Sequence, residues 1–175
     1  MARKVFFSFH YKPDNWRAAQ VRNMGVIEGN APVSDNDWEA VTGRGVKAIE
    51  DWIDGQIKGK SCAVVLIGAN TAGRKWINYE IEKSWNDGKG LFGIYIHNLK
   101  AAPVPPDTEG KQSSKGNNPF DGFTVGEDKK ELSSIVKAYD PPFTTSTYVY
   151  NHIKENLADW VEKAIEIRDS FKGGS

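Results

Sequence analysis

Cys62-Ala63-Val64-Val65-Leu66-Ile67, then Gly68-Ala69-Asn70-Thr71-Ala72-Gly73, then the run from Arg74 to Asp87 that stops at Gly88: these residues decide the fold. The first six are apolar and rich in β-branched side chains, which predicts a strand. The run does not alternate, so the strand is expected to be covered on both faces, as in a parallel sheet. The small residues make a loop, and Arg74 to Asp87 is expected to be a helix. Ile77, Ile81 and Trp85 recur at helical spacing and form its core-facing line. Trp76, Glu80 and Ser84 form a neighbouring line, one position round, at the edge of the buried face. Two readings of Glu80 follow from that place. It is a surface carboxylate paired with Lys83 or Ser84, or a partly desolvated one beside Trp76 with chemistry to do.

The same pattern extends outward. Lys4 to Phe9 reads as a first strand, His10 to Pro13 as a turn, and Asn15 to about Met24 as a helix with Asp14 as its cap. Val26-Ile27 reads as a very short strand, and Gly29 to Arg44 as polar and irregular. Gly45 to Lys58 has a helical apolar line of Val46, Ile49, Ile53 and Ile57. Leu91 to Ile96 is the next apolar strand, ending at His97. Asn98 to Phe123 is rich in proline and glycine and too long for an ordinary connection, so it is a functional loop or a mobile one. Leu132 to Ala138 reads as a short helix stopped by Pro141-Pro142. Tyr148 to Phe171 reads as a long amphipathic helix, and Gly173-Gly174-Ser175 as a frayed end.

Strands alternating with helices predict an α/β fold, a mostly parallel sheet with helices on both faces. One such domain accommodates all 175 residues. Ligands of these folds bind at the carboxyl ends of the strands, where strand order reverses. In flavodoxin-like order that point lies between the first and third strands. Ser8, Phe9, His10 and Asn70 stand there, and the helix bearing Trp76 and Glu80 starts just after. This placement brings the functional reading of Glu80 level with the surface one.

Composition limits the partners. Lysine plus arginine and aspartate plus glutamate both total 23, so no net positive field recommends nucleic acid or an anionic membrane. The single cysteine, Cys62, lies in the apolar strand and fits a reducing, cytoplasmic setting. No Gly-x-Gly-x-x-Gly follows a strand. Gly59-Lys60-Ser61 is not a P-loop, because Asp54 replaces the required glycine and the segment precedes its strand. His10 and His97 at strand ends are a thin basis for a metal, and none is expected.

Val5-Phe6-Phe7-Ser8-Phe9-His10-Tyr11 resembles the first strand of Toll/interleukin-1 receptor (TIR) domains. Trp76-Ile77-Asn78-Tyr79-Glu80-Ile81 resembles the Trp-x-x-x-Glu helix of the enzymatic members. Together with Asp37-Trp38-Glu39, Val65-Leu66-Ile67-Gly68 and Lys115-Gly116-Asn117-Asn118-Pro119-Phe120-Asp121, the ordered set is most similar to the TIR-like proteins of bacterial Thoeris antiphage systems. The resemblance covers residues 3 to about 123. It implies a flavodoxin-like fold and cleavage of NAD between nicotinamide and ribose, with NAD as substrate and no cofactor. It implies Glu80 as the catalytic carboxylate and Trp76 as its aromatic neighbour. Ser8, Phe9, His10 and Asn70 are nucleotide-contact candidates by position. It also implies a diffusible cyclic or modified ADP-ribose read by a separate effector protein. Separately from the resemblance, cyclisation needs a site closed to water that one small domain hardly offers, so a homo-oligomer is the expectation. The competing expectation is a non-catalytic TIR-like interaction module. Free nicotinamide after incubation with NAD separates the two.

Overall fold

In the computed structural model the described residues are 3–29 and 43–171. Asp37-Trp38-Glu39, most of the irregular stretch around them and the terminal Gly173-Gly174-Ser175 lie outside these. Five strands form a parallel sheet in the order β2-β1-β3-β4-β7. They are β1 (Lys4–Ser8), β2 (Glu28–Gly29), β3 (Cys62–Ile67), β4 (Gly90–Tyr95) and β7 (Ala138–Tyr139). This is the flavodoxin-like order, with β1 and β3 adjacent at the centre. Two further strands, β5 (Thr124–Val125) and β6 (Lys130–Glu131), make a separate antiparallel pair.

β3 and β4 are buried at every residue, as their unbroken apolar runs require. Side chains of β1 and β3 alternate between two cores. Val5, Phe7, Cys62, Val64 and Leu66 pack with α1 (Tyr11–Arg22) and α4 (Ser146–Ser170) on one face. Phe6, Ala63, Val65 and Ile67 pack with α2 (Val46–Ile57) and α3 (Lys75–Asn86) on the other. Ile77, Ile81 and Trp85 are the buried line of α3, as their spacing predicts. Ser8 follows Phe7 in register with Val65, so it turns to the α3 face.

Four expectations are corrected. Asp14 does not cap α1, which begins at Tyr11 with His10 in the cap position. Instead Asp14 sits inside the first turn, 1% exposed, and pairs with Arg17 at 2.8 Å. Val26-Ile27 is not the second strand, which is the next two residues. Leu132 to Ala138 is not a helix: a 3-10 turn at Leu132–Ser134 leads into β7, which pairs with β4. Ser84 is fully buried and not at an edge.

The long segment after β4 is fixed to the body of the protein. Phe120 is fully buried in the α3-side core. Arg17 Nε donates to Leu99 O at 2.7 Å and its Nη2 donates to Lys111 O at 2.9 Å, so one guanidinium holds both arms of the segment to α1. Gln20 adds a bond to Lys100 O at 2.8 Å. Gly116 lies so close to the Gly68 and Ala69 carbonyls that any Cβ there would collide with backbone. The segment therefore covers the carboxyl end of β3 as a wall.

Cys62 is fully buried, and burial pushes its thiol far above the ordinary range. Native protein is expected to resist alkylation by iodoacetamide at pH 8 and to label once unfolded. Rapid labelling of native protein would mean that β3 opens.

Candidate active site

Glu80 projects from the second turn of α3 toward the end of β1. Lys83, its expected surface partner, pairs with Asp87 at 3.1 Å instead, and Ser84 makes no hydrogen bond through its hydroxyl. Burial shields the Glu80 carboxyl from water and pushes its pKa up to about 8. The Ser8 hydroxyl, buried and otherwise unpaired, pulls it back toward the carboxylate. Among the described residues no cation offsets the burial. An isolated carboxyl at a strand end is costly to ionise, and such groups concentrate at functional sites.

The other buried polar atoms without partners mark the same end of the sheet. They are His10 Nδ1, Asp14 Oδ2, His97 Nδ1 and Ser113 Oγ, with Ser84 Oγ on α3. All but the last come from the carboxyl ends of β1 and β4 or from the segments that follow. Buried polar groups normally find a partner in the protein or in ordered water, and these lie together at one end of the sheet. Burial and the charge of Arg74 lower the pKa of His10, against the pull of Asp14. Burial also lowers that of His97. Both imidazoles are thereby kept neutral near pH 7. No group of three His, Cys, Asp or Glu among the described residues is arranged to hold a metal.

The candidates from the sequence divide by position. Ser8, His10 and Glu80 gather at the end of β1. Asn70 is exposed on the turn after β3, beside Asp14 and Arg17. Phe9 turns to the opposite face, where its ring stacks on Tyr11 at 6.1 Å and lies under the Arg22 guanidinium at 5.8 Å. Trp76 is half-buried against the α3-side core, edge-on to Tyr79 at 5.8 Å, with Lys75 Nζ over its ring at 4.9 Å. Tyr79 in turn donates to Asp54 on α2 at 2.7 Å, fixing that side of α3. Asp14, Arg17, His97 and Ser113 also stand at this end of the sheet, where no sequence motif places them. A buried aspartate three residues before an arginine in a first turn was the available signal for the first two. His97 and Ser113 carry no signature beyond their place after β4.

The family model described as "Thoeris protein ThsB, TIR-like domain" matches residues 6–101. That span runs from β1 through α3 and β4 and includes Ser8, His10, Trp76 and Glu80. The chain belongs to the Thoeris ThsB TIR-like family. It is also similar to a Bacillus cereus (strain MSX-D12) protein provisionally named cyclic ADP-D-ribose synthase ThsB1, at 39% identity over 139 residues, covering 75% of this chain and 69% of the relative. The sheet order is that expected of a TIR-like member. No described helix is long and apolar enough to cross a membrane.

Proposed function

We propose that this TIR-like protein is an enzyme that cleaves NAD between nicotinamide and ribose and converts the ADP-ribosyl group to a cyclic or modified ADP-ribose signal in antiphage defence. The ThsB family membership and the synthase named above support this reading. The observation that carries it is the Glu80 carboxyl, half-buried and desolvated without a compensating cation at the carboxyl end of the parallel sheet. A cationic nicotinamide ribosyl group supplies that missing charge. Its arrival favours the carboxylate form, so substrate and site neutralise each other. As the C–N bond breaks, nicotinamide leaves neutral, and positive charge moves onto the ribose as in glycoside hydrolysis. A carboxylate aimed at that ribose stabilises the transition state more than the ground state. No general acid is needed for a neutral leaving group. Ser8, His10, Asn70 and Trp76 belong to the proposed substrate site. Phe9 acts there only through its backbone, since its ring faces away. In this reading the product diffuses to a separate effector protein, and the enzyme works as a homo-oligomer in the cytoplasm.

The direct test is incubation with NAD, followed by chromatography for nicotinamide and mass spectrometry for the nucleotide product. Nicotinamide with a cyclic or modified ADP-ribose supports the reading. Its absence from a folded, assembled protein leaves the interaction-module alternative.

The pH dependence follows from the sign of the Glu80 shift. The active form is the carboxylate, and in free enzyme it forms only as pH passes about 8. The expected kcat/KM for NAD rises with pH and levels off above that point. The bound cation stabilises the carboxylate, so the corresponding rise in kcat lies at lower pH. A kcat/KM that falls between pH 6 and 9 would assign the essential group to something other than a raised carboxyl.

A further inference from the structure

We propose that two copies of this chain pair about a two-fold axis through one face, built from α1, the segment after β4 and the start of α4; this rests on the homo-oligomer of the reading above and names its surface. Among the described residues five large hydrophobic side chains are exposed: Trp16, Val46, Val104, Phe143 and Tyr148. Val46 stands apart, at the start of α2. The other four gather around the segment after β4. Gln20, one turn on from Trp16, donates to Lys100 O at 2.8 Å. The Lys100 amide donates to Ser146 Oγ at 3.2 Å, at the start of the helix that carries Tyr148. Asn98 Nδ2 donates to Phe143 O at 3.1 Å, and the Phe143 ring lies 6.0 Å from that of Tyr148. Val104 belongs to the segment itself and shares a groove with Pro13 of α1.

The same face is depleted of charge. Residues 101–106 and 141–153 contain no aspartate, glutamate, lysine or arginine, in a chain where these make up 26%. Aromatic rings without charge are the composition of an interface core. Charges return beside it as two pairs, Lys100 with Glu109 at 3.2 Å and Lys111 with Asp107 at 3.5 Å. Three half-exposed aromatic rings and a valine offer roughly 400 Å², about half of the ~800 Å² that each side of a stable interface buries. Pro103, Pro105, Pro106 and Thr147 are exposed around them and extend the surface.

A second copy is the occupant because the face is complementary to itself. Residues 102–109 are all exposed and make a proline-rich knob, 71% exposed at Val104, with the aromatic group of α4 beside it. A two-fold axis between knob and rings sets the knob of each copy on the rings of the other. Proline against aromatic rings is a recurrent recognition chemistry. Each rim pair offers one cation and one anion, so a copy related by the axis finds both signs. The formal net charge of zero leaves no overall repulsion between copies. A diffusible product asks for no contact between enzyme and effector. The knob and the wall over β3 are one segment, so pairing would brace the wall from outside.

The test is sedimentation velocity without NAD, at protein concentrations from about 1 to 100 µM. Wild-type protein is expected to pass from monomer to dimer in that range. Val104→Glu and Tyr148→Glu replace exposed side chains, and the second puts a carboxylate in the first turn of a helix, where it suits the dipole. Each should raise the dimer Kd at least about tenfold. Val46→Glu, on the other exposed valine, should leave the Kd unchanged. Wild-type protein still monomeric at about 100 µM would overturn the proposal. So would a dimer that neither Val104→Glu nor Tyr148→Glu weakens, or one that Val46→Glu weakens as much. A dimer with these sensitivities that releases no nicotinamide would defeat the reaction and leave the surface. A monomer that cleaves NAD would do the reverse.

Discussion

Glu80→Gln is expected to lower NAD cleavage by about a hundredfold or more, the usual cost of removing an electrostatic stabiliser from a water-excluded site. The same variant should be more stable than wild type at alkaline pH. Both effects come from one cause. The folded pKa of Glu80 lies near 8, above the ordinary glutamate value of 4.5. Below pH 4.5 the group is protonated in folded and unfolded chains alike and costs nothing. As pH rises toward 8 the unfolded chain ionises while the folded one does not, so stability falls, and above 8 the loss is complete. Glutamine removes that loss. We expect Tm at pH 9 to rise by about 10 °C and Tm at pH 4 to be unchanged. Near-normal turnover in Glu80→Gln would remove Glu80 from the chemistry. Equal loss of activity and of stability would make it a structural residue.

Arg17→Ala is expected to destabilise the protein by about 3–5 kcal/mol, the cost of leaving a buried ion without its partner. For a chain of this size that is a drop in Tm of about 10 °C. Arg17 is 4% exposed and also bonds Pro13 O at 3.0 Å, besides its bonds to Asp14, Leu99 and Lys111. Its loss strands the Asp14 carboxylate and frees both arms of the segment after β4. Burial already holds the Asp14 pKa above its ordinary value, and removal of Arg17 would raise it further. The defect should therefore grow as pH rises through the ordinary carboxylate range. Asp14→Leu combined with Arg17→Met should recover only the part of the loss due to the stranded charge, since methionine cannot donate to the Pro13, Leu99 and Lys111 carbonyls. A single variant that melts like wild type would show that the segment is held by Phe120 and its neighbours alone.

The residues that carry their own pattern were legible. Cys62 to Ile67 could only be a doubly covered strand, and the helical spacing of Ile77, Ile81 and Trp85 placed Glu80 beside the core. Alternation along β1 also separates the candidates at its carboxyl end. Ser8 and Phe9 are neighbours in an extended chain, so only one could face α3. Other features depend on distant partners. Ala138–Tyr139 is too short to show a period and becomes a strand only because β4 offers it an edge. Asp14 looks like a helix cap until the segment after β4 packs above it and excludes water. The order of that segment rests on Phe120 and on one guanidinium reaching backbone carbonyls more than eighty residues away. Main-chain acceptors leave no trace in the side-chain alphabet.

The wall over β3 also sets when conformational freedom is lost. Arg17, Gly116 and Phe120 immobilise the segment during folding, so its ordering entropy is already accounted for before any dinucleotide arrives. A mobile flap would charge that cost to each binding event and weaken affinity accordingly. Here the crevice behaves as a preformed mould. Its capacity to hold a ligand is tied to the integrity of the α1 clasp, and mild denaturant that loosens the clasp would empty the site while the sheet is still intact.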